Sequence, residues 1–318
     1  MNPSVSVVYV NYNSSGLLLR SFASLLNQCK AVSFEVIIID NASRDEEKEQ
    51  LQAGLQDFPR GDIHLIFSEE NLGFGRANNL GANQAKGDYL FFLNPDTLIV
   101  NDVISIFYEF LKKANLNIVG CGGSLLKSDL SPNDSYGNFP GLLQELAMTG
   151  LGFRFFIKNY RQTVAIAASV PDNSHREVDY IVGADIFIRT ESFRLVKGFD
   201  ENYFLYYEET DLFKMLKAGG LKSFLLPEAR IVHYEGAASG EVYSGDFSVR
   251  KFRFLLKSKL YYYQKWFPSY KITLLNGILF FQILIQYLKG NMGHELRPLL
   301  TTYSEYIKSG HHPKSRLK

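Results

Sequence analysis

The chain has 318 residues, 46% hydrophobic and 21% charged; that length allows one large or two smaller domains with a sizeable core, and the composition excludes disordered, collagen-like and low-complexity chains. Cys29 and Cys121 cannot build a disulfide framework and no Cys/His spacing suggests a structural zinc site, so a reduced, cytosol-facing protein is the expectation. Residues 1–246 hold 21 Lys+Arg against 31 Asp+Glu, whereas residues 247–318 hold 13 Lys+Arg against only Glu295 and Glu305, so the acidic part argues against nucleic-acid binding and the basic part needs its own explanation.

Val5–Val10 is a short apolar run that passes straight into Asn11-Tyr12-Asn13, without the basic start of a signal peptide; Ser6–Val10 reads as a strand buried on both faces. Asn13, Ser14 and Ser15 can cap a helix to about Gln28, with Leu18, Phe22 and Leu25 at helical spacing. Strands follow at Glu35–Asp40, Ile63–Phe67, Tyr89–Leu93 and Ile118–Val119, separated by helices from Ser43, over Arg76–Ala85 and over Asp102–Lys113. This alternation predicts a mostly parallel sheet with helices on both faces, whose ligands lie outside the carboxyl ends of the strands. From Gly122 to Val178 the pattern loosens into a loop over Ser131–Asn138 and an apolar helix over Leu142–Tyr160. Strands return at Tyr180–Val182, Ile186–Ile188, Ser223–Leu226 and Arg230–Val232, with a helix over Glu208–Lys217. The expected domains are 1–246, catalytic, and 247–318, basic, aromatic and helical.

Polar residues end three of the apolar strands: Asn11 and Asn13, Asp40 and Asn41, then Asn94 and Asp96. Each set alone is an ordinary turn; the three together point to use at the ligand edge. Gly73 and Gly75 let a backbone approach a ligand closely and Arg76 can counter a diphosphate, yet Asn78 stands where a dinucleotide fingerprint needs glycine, and no P-loop is present. Asp96 after Asn94-Pro95 suits a hard divalent cation, or equally a turn and helix cap. Glu208, Glu209 and Asp211 crowd a helix start, where the dipole favours them; their aromatic and acidic neighbours would also raise one carboxyl toward the range of a general base. His233 follows an apolar strand, either as a hydrogen-bonded structural imidazole or as a metal ligand beside Asp96.

Taken in order, Val10-Asn11-Tyr12-Asn13, Ile39-Asp40-Asn41-Ala42-Ser43, Glu70-Asn71-Leu72-Gly73-Phe74-Gly75, Leu93-Asn94-Pro95-Asp96, Gly198-Phe199-Asp200-Glu201, Phe204–Asp211 and Val232-His233-Tyr234-Glu235-Gly236 resemble the family 2 inverting glycosyltransferases, nearest their bacterial rhamnosyltransferase-like branch, over roughly residues 4–245. The resemblance implies a GT-A fold, a nucleotide-diphosphate sugar donor and a Mg²⁺ or Mn²⁺ ion. It places Asn11 and Asn13 near the nucleotide and Asp40, with Asn41 beside it, at base or ribose; Asn71, Gly75 and Arg76 line the donor pocket. Asp96 takes the metal position of the D-x-D motif, whose first acid is here Asn94, and His233 the position of a further metal ligand. Glu209 stands where the family usually has the Asp of its general-base pair, so either Glu209 reaches farther or Asp211 shares the role. The function so implied is transfer of a sugar to a glycan or lipid-linked saccharide in cell-surface polysaccharide synthesis; a sugar nucleotidyltransferase or a weakened, saccharide-binding homologue are the rivals.

Phe247–His294 contains no acid but eight Lys or Arg interleaved with aromatics, a composition suited to an anionic membrane surface. Ile272–Leu288 follows as 17 largely apolar residues, too short to span comfortably, with Gln282, Gln286 and Lys289 on one helical face, so lying in the interface is expected. The expected location is therefore the cytoplasm, at the inner face of the cell membrane. The competing reading is a helical hairpin packed on the catalytic domain or on another subunit of a homo-oligomer.

Overall fold

The computed structural model describes residues 3–58, 63–147, 174–234, 249–288, 300–301 and 303–304. The chain divides into two compact units: Met1–Gly137 with Ile166–Asn202 and Glu208–Ser244, and Asn138–Ala165 with Tyr203–Tyr207 and Gly245–Lys318.

The first unit is built on a nine-stranded sheet. Strands β1 (Val5–Asn11), β2 (Phe34–Asp40), β3 (Ile63–Phe67) and β4 (Tyr89–Leu93) are parallel in the order β3-β2-β1-β4. Helices α1 (Ser15–Gln28), α2 (Asp45–Gln56) and α3 (Phe74–Gln84) make the crossovers. The chain steps outward from β1 to β3 and then returns to the other side of β1, so strand order reverses between β1 and β4. A crevice opens at such a switch point, outside the carboxyl ends of the strands. β1, β2 and β4 are almost wholly buried, as unbroken apolar runs between two helical layers must be.

After β4 come the three-residue β5 (Thr97–Ile99), α4 (Val103–Lys113) and β6 (Ile118–Leu126). α4 opens on Asp102, whose carboxylate accepts the Ser105 amide, and packs Phe107 against Phe91 and Phe187 in the main core. β7 (Tyr136–Gly137) pairs with β9 (Tyr180–Ile181) as a small separate ribbon, and β8 (Arg176–Val178) pairs with β11. β10 (Asp185–Arg189) enters antiparallel between β4 and β6, and α6 (Thr190–Leu195) follows it. α7 (Glu208–Ala218) leads to β11 (Lys222–His233), parallel to β6 and capped at its end by antiparallel β5. The sheet is therefore mostly parallel with three reversed strands, and helices cover it, as the alternation predicts.

Local corrections have physical causes. The two short strands expected at Ser223–Leu226 and Arg230–Val232 are one strand carrying a register shift between Leu226 and Arg230, around Pro227, which has no amide to give the ladder. β6 continues through Gly122 and Gly123 to Leu126, beyond the expected Ile118–Val119, and the expected loop contains β7. Of the helix expected over Leu142–Tyr160, α5 (Leu142–Ala147) is present and the remainder lies outside the described residues.

The second unit gathers α5, the Tyr203–Tyr207 segment, α8 (Val249–Trp266) and α9 (Ser269–Leu288). Tyr203, Leu256, Leu260, Tyr262, Tyr263, Leu275, Leu279 and Tyr303 form its core. Within that core Lys259 Nζ lies 2.8 Å from Glu145, whose other oxygen accepts the Tyr263 hydroxyl, and Gln282 donates to the Glu145 carbonyl at 2.7 Å. Two buried charges are tolerable here because each meets its partner and further hydrogen bonds. α9 extends the expected Ile272–Leu288 to 20 residues, and among the described residues no helix is long and apolar enough to cross a membrane.

Candidate functional site

The carboxyl ends of β1, β2 and the loop after β3 are tied together by side chains. Asn11, fully buried at the end of β1, donates to Asp40 Oδ2 at 2.8 Å and accepts from Ser14. Asp40 Oδ1 accepts the Ser43 amide at 3.0 Å, closing the turn after β2. Asn13 sits at φ +53°, a conformation that Asn tolerates better than most, and its side-chain Oδ1 accepts the Arg44 amide at 2.9 Å. Asn41 donates to Asn71 Oδ1 at 3.1 Å and accepts the Leu72 amide at 2.8 Å, while Asn71 also accepts the amide of Gly73, at φ +78°. Asn11 and Asp40, with Asn13 reaching them through Ser43, form one hydrogen-bonded group, and Asn41 with Asn71 a second, the two linked where the Asn41 amide donates to the Asn11 carbonyl. Together they hold the loops at this edge of the sheet in place.

Asp96 and His233 meet because β5 and the end of β11 pair. His233 is the register partner of Thr97, and the Asp96 carbonyl accepts the Tyr234 amide at 2.9 Å. Their side chains, 4% and 10% exposed, bring His233 Nε2 within 3.4 Å of Asp96 Oδ1. His233 Nδ1 is buried with no hydrogen-bond partner among the described residues. A carboxylate oxygen beside an imidazole is a donor set that suits Mn²⁺ and is tolerable for Mg²⁺. Among the described residues no three His, Cys, Asp or Glu side chains are grouped to hold a metal. Asn94, partly exposed, lies two residues before Asp96.

Glu209 stands in the first turn of α7. Enclosure by protein pushes its carboxyl up to about 7, against the lowering effect of the Glu209 and Thr210 amides. A methyl group placed on Gly183 would come within 3.9 Å of the Glu209 carboxyl carbon and 3.6 Å of the Phe74 ring, so Gly183 faces both. Burial and the Glu209 charge raise the Tyr180 hydroxyl as well. The next residue, Ala184, accepts the Asn94 amide at 3.0 Å through its carbonyl. The Glu209 carboxyl and the turn that carries Asp96 therefore border the same short stretch of backbone, Gly183-Ala184. Asp211, two positions on, is fully buried and lies about 200° around α7 from Glu209.

Gly75 permits the start of α3 to meet α7: a Cβ there would be 3.1 Å from Phe199 and 3.5 Å from the Glu208 side chain. Two helix amino termini thus approach the same rim, where their exposed amides favour an anion. Arg76 stands apart from the asparagine network, exposed, with its guanidinium 4.0 Å from Glu201. Gly183 stands outside the residues that the sequence pattern marks, and Phe74 enters it only within the Glu70–Gly75 motif; a glycine two residues before an apolar strand is the one signal for Gly183.

A model of glycosyl transferase family 2 matches residues 6–170, more than half of the chain. The chain belongs to glycosyl transferase family 2. This glycosyltransferase is 28% identical over 252 residues to an N-acetylglucosaminyl-diphospho-decaprenol L-rhamnosyltransferase of Mycobacterium tuberculosis, covering 76% of this chain and 79% of that one. It is 25% identical over 240 residues to rhamnosyltransferase WbbL of Escherichia coli, covering 72% and 81%. Among solved structures, GalNAc-T7 with UDP, GalNAc and Mn²⁺ superposes with a TM-score of 0.55 at 16% identity, over 83% of this chain and 51% of that one. The mannosyltransferase PcManGT of Pyrobaculum calidifontis, in complex with GDP-Man and Mn²⁺, superposes at 0.54 with 13% identity, over 99% and 77%. These likenesses establish the GT-A fold of the enzyme.

Proposed function

We propose that the enzyme transfers a sugar, with inversion, from a nucleotide-diphosphate donor to a glycan or lipid-linked saccharide in cell-surface polysaccharide synthesis, working in the cytoplasm at the inner face of the membrane. The observation that carries the reading is that Glu209 and the turn bearing Asp96, with His233 beside it, border the same stretch of backbone, Gly183-Ala184. The rhamnosyl- and mannosyltransferase relatives, with a lipid diphosphate acceptor named for one and a nucleotide sugar with Mn²⁺ for another, support the substrate classes.

In this reading the asparagine network holds the wall against which the nucleoside lies: Asn11 and Asn13 shape the first loop, Asp40 and Asn41 the second, Asn71 and Gly75 the third, with Arg76 at its outer edge. Asp96 and His233, with Asn94 beside them, hold a divalent cation, which when bound neutralises charge on the departing diphosphate. Glu209, not Asp211, takes the acceptor hydroxyl proton. As that proton leaves, the acceptor oxygen bonds to the anomeric carbon and the bond to the donor phosphate breaks on the opposite face, releasing nucleoside diphosphate. A carboxyl raised toward 7 is more basic than an ordinary carboxylate and so better able to share that proton.

The test of the metal assignment is calorimetric titration of a nucleoside diphosphate with and without Mn²⁺. Asp96→Asn and His233→Ala should each erase most of the Mn²⁺-dependent gain in affinity, by roughly tenfold or more. Undiminished metal-dependent binding in both variants would remove this pair from the site.

A further inference from the structure

The second unit leaves one face of α9 uncovered. Leu275 and Leu279 are buried in its core and Gln282 is tied to α5, but the opposite side carries Tyr270, Leu274, Phe280, Phe281, Leu284 and Tyr287, all exposed, at 64% for Tyr270 and 52% for Phe280. Their spacing of three, four and seven residues makes a continuous row along a helix about 30 Å long. A scatter of single exposed apolar residues is unremarkable on a soluble protein, whereas a row of aromatics and leucines along a whole helix marks a contact surface.

Charge decides between occupants. Residues 247–318 carry 13 Lys+Arg and two Glu, and Lys251, Arg253 and Lys257 of α8 are exposed. Two copies meeting through this region would bring like charge together, whereas an anionic lipid surface supplies the opposite sign. Rings of Tyr and Phe beside Lys and Arg are the composition that settles at headgroup depth. Spanning is disfavoured, because it would withdraw Leu275 and Leu279 from their core contacts. We propose that α9 lies in the plane of an anionic membrane, inserting its Tyr270–Tyr287 face to the headgroup–acyl boundary while the basic residues of this unit hold the surface. This gives a partner surface to the lipid-linked acceptor reading above and rests on that reading for its purpose only.

The test is flotation of the full chain, without donor or acceptor, on vesicles of phosphatidylcholine alone or with roughly one third phosphatidylglycerol. The chain should float with the anionic vesicles and be released as salt is raised. Phe280→Ser/Phe281→Ser/Leu284→Ser, all at exposed positions, should melt like the parent yet partition roughly tenfold less or weaker still. Absence of flotation, or a triple variant that floats undiminished, overturns the proposal. So does a parental dimer, seen by sedimentation, that the triple variant dissociates while vesicle binding is unchanged, since a second copy would then cover the face. Transfer of a sugar to a soluble acceptor, assayed separately, tells this failure from failure of the catalytic assignment.

Discussion

Glu209 carries two consequences with opposite value to the molecule. Its carboxyl is raised from 4.5 to about 7 by burial, so the folded chain holds a proton there that the unfolded chain releases. Between those values the native state binds more protons, and stability falls as pH rises, with the full loss incurred above about 7. Catalysis needs the ionised form, so transfer should rise through about pH 7 and level off above it. Removing the charge should separate the two effects: Glu209→Gln should melt a few degrees above the parent at pH 8 and close to it at pH 4.5, by calorimetry. A variant less stable than the parent at pH 8 would mean that the carboxylate is compensated by contacts this account lacks. The residues legible in the sequence were those that end apolar strands, such as Asn11, Asp40, Asp96 and His233, because an unbroken hydrophobic run announces where its ligand edge lies. Gly183 was not legible. Its place beside Phe74 and Glu209 depends on how α3 and α7, both far away in sequence, pack against it.

At the level of elements, the site depends on how closely helices approach the sheet. Gly81 of α3 lies over β1, where a Cβ would come 2.4 Å from Val8 Cγ1. Val8 is fully buried and stiff at χ1, so it has nowhere to turn. Gly81→Ala should therefore destabilise by about 1–3 kcal/mol despite the better helix propensity of alanine. Gly277 of α9 has nothing within 4 Å of such a methyl, and Gly277→Ala should stabilise by up to about 1 kcal/mol. Urea melts of the two variants check the contrast; equal effects would show that propensity, not the α3–β1 approach, governs both. The same packing logic explains which elements were readable. β1 to β4 were evident from β-branched and aromatic runs, but β5 is three residues long and forms because β11 offers it an edge. β6 continues through two glycines that signal a turn in isolation. Without β5, Asp96 would not face His233, so the proposed metal pair depends on a strand too short to recognise from composition.

Across the whole molecule, the division of charge follows function. The acidic part builds a GT-A sheet whose rim meets an anionic donor only where helix termini, and the cation assigned to Asp96 and His233, reverse the local sign. In the proposed reading the basic part turns most of its charge to an anionic surface, and the buried Lys259 is matched by Glu145 within the same unit. The proposed chemistry turns on Glu209 removing the acceptor proton at the rim that also holds the diphosphate. A single-turnover measurement at pH 8, with a nucleotide-sugar panel, Mn²⁺ and saturating acceptor, tests it most directly. Glu209→Gln should bind the active donor as the parent does but transfer its sugar about 10²–10⁴-fold more slowly; transfer at close to the parental rate would remove Glu209 from the role of base.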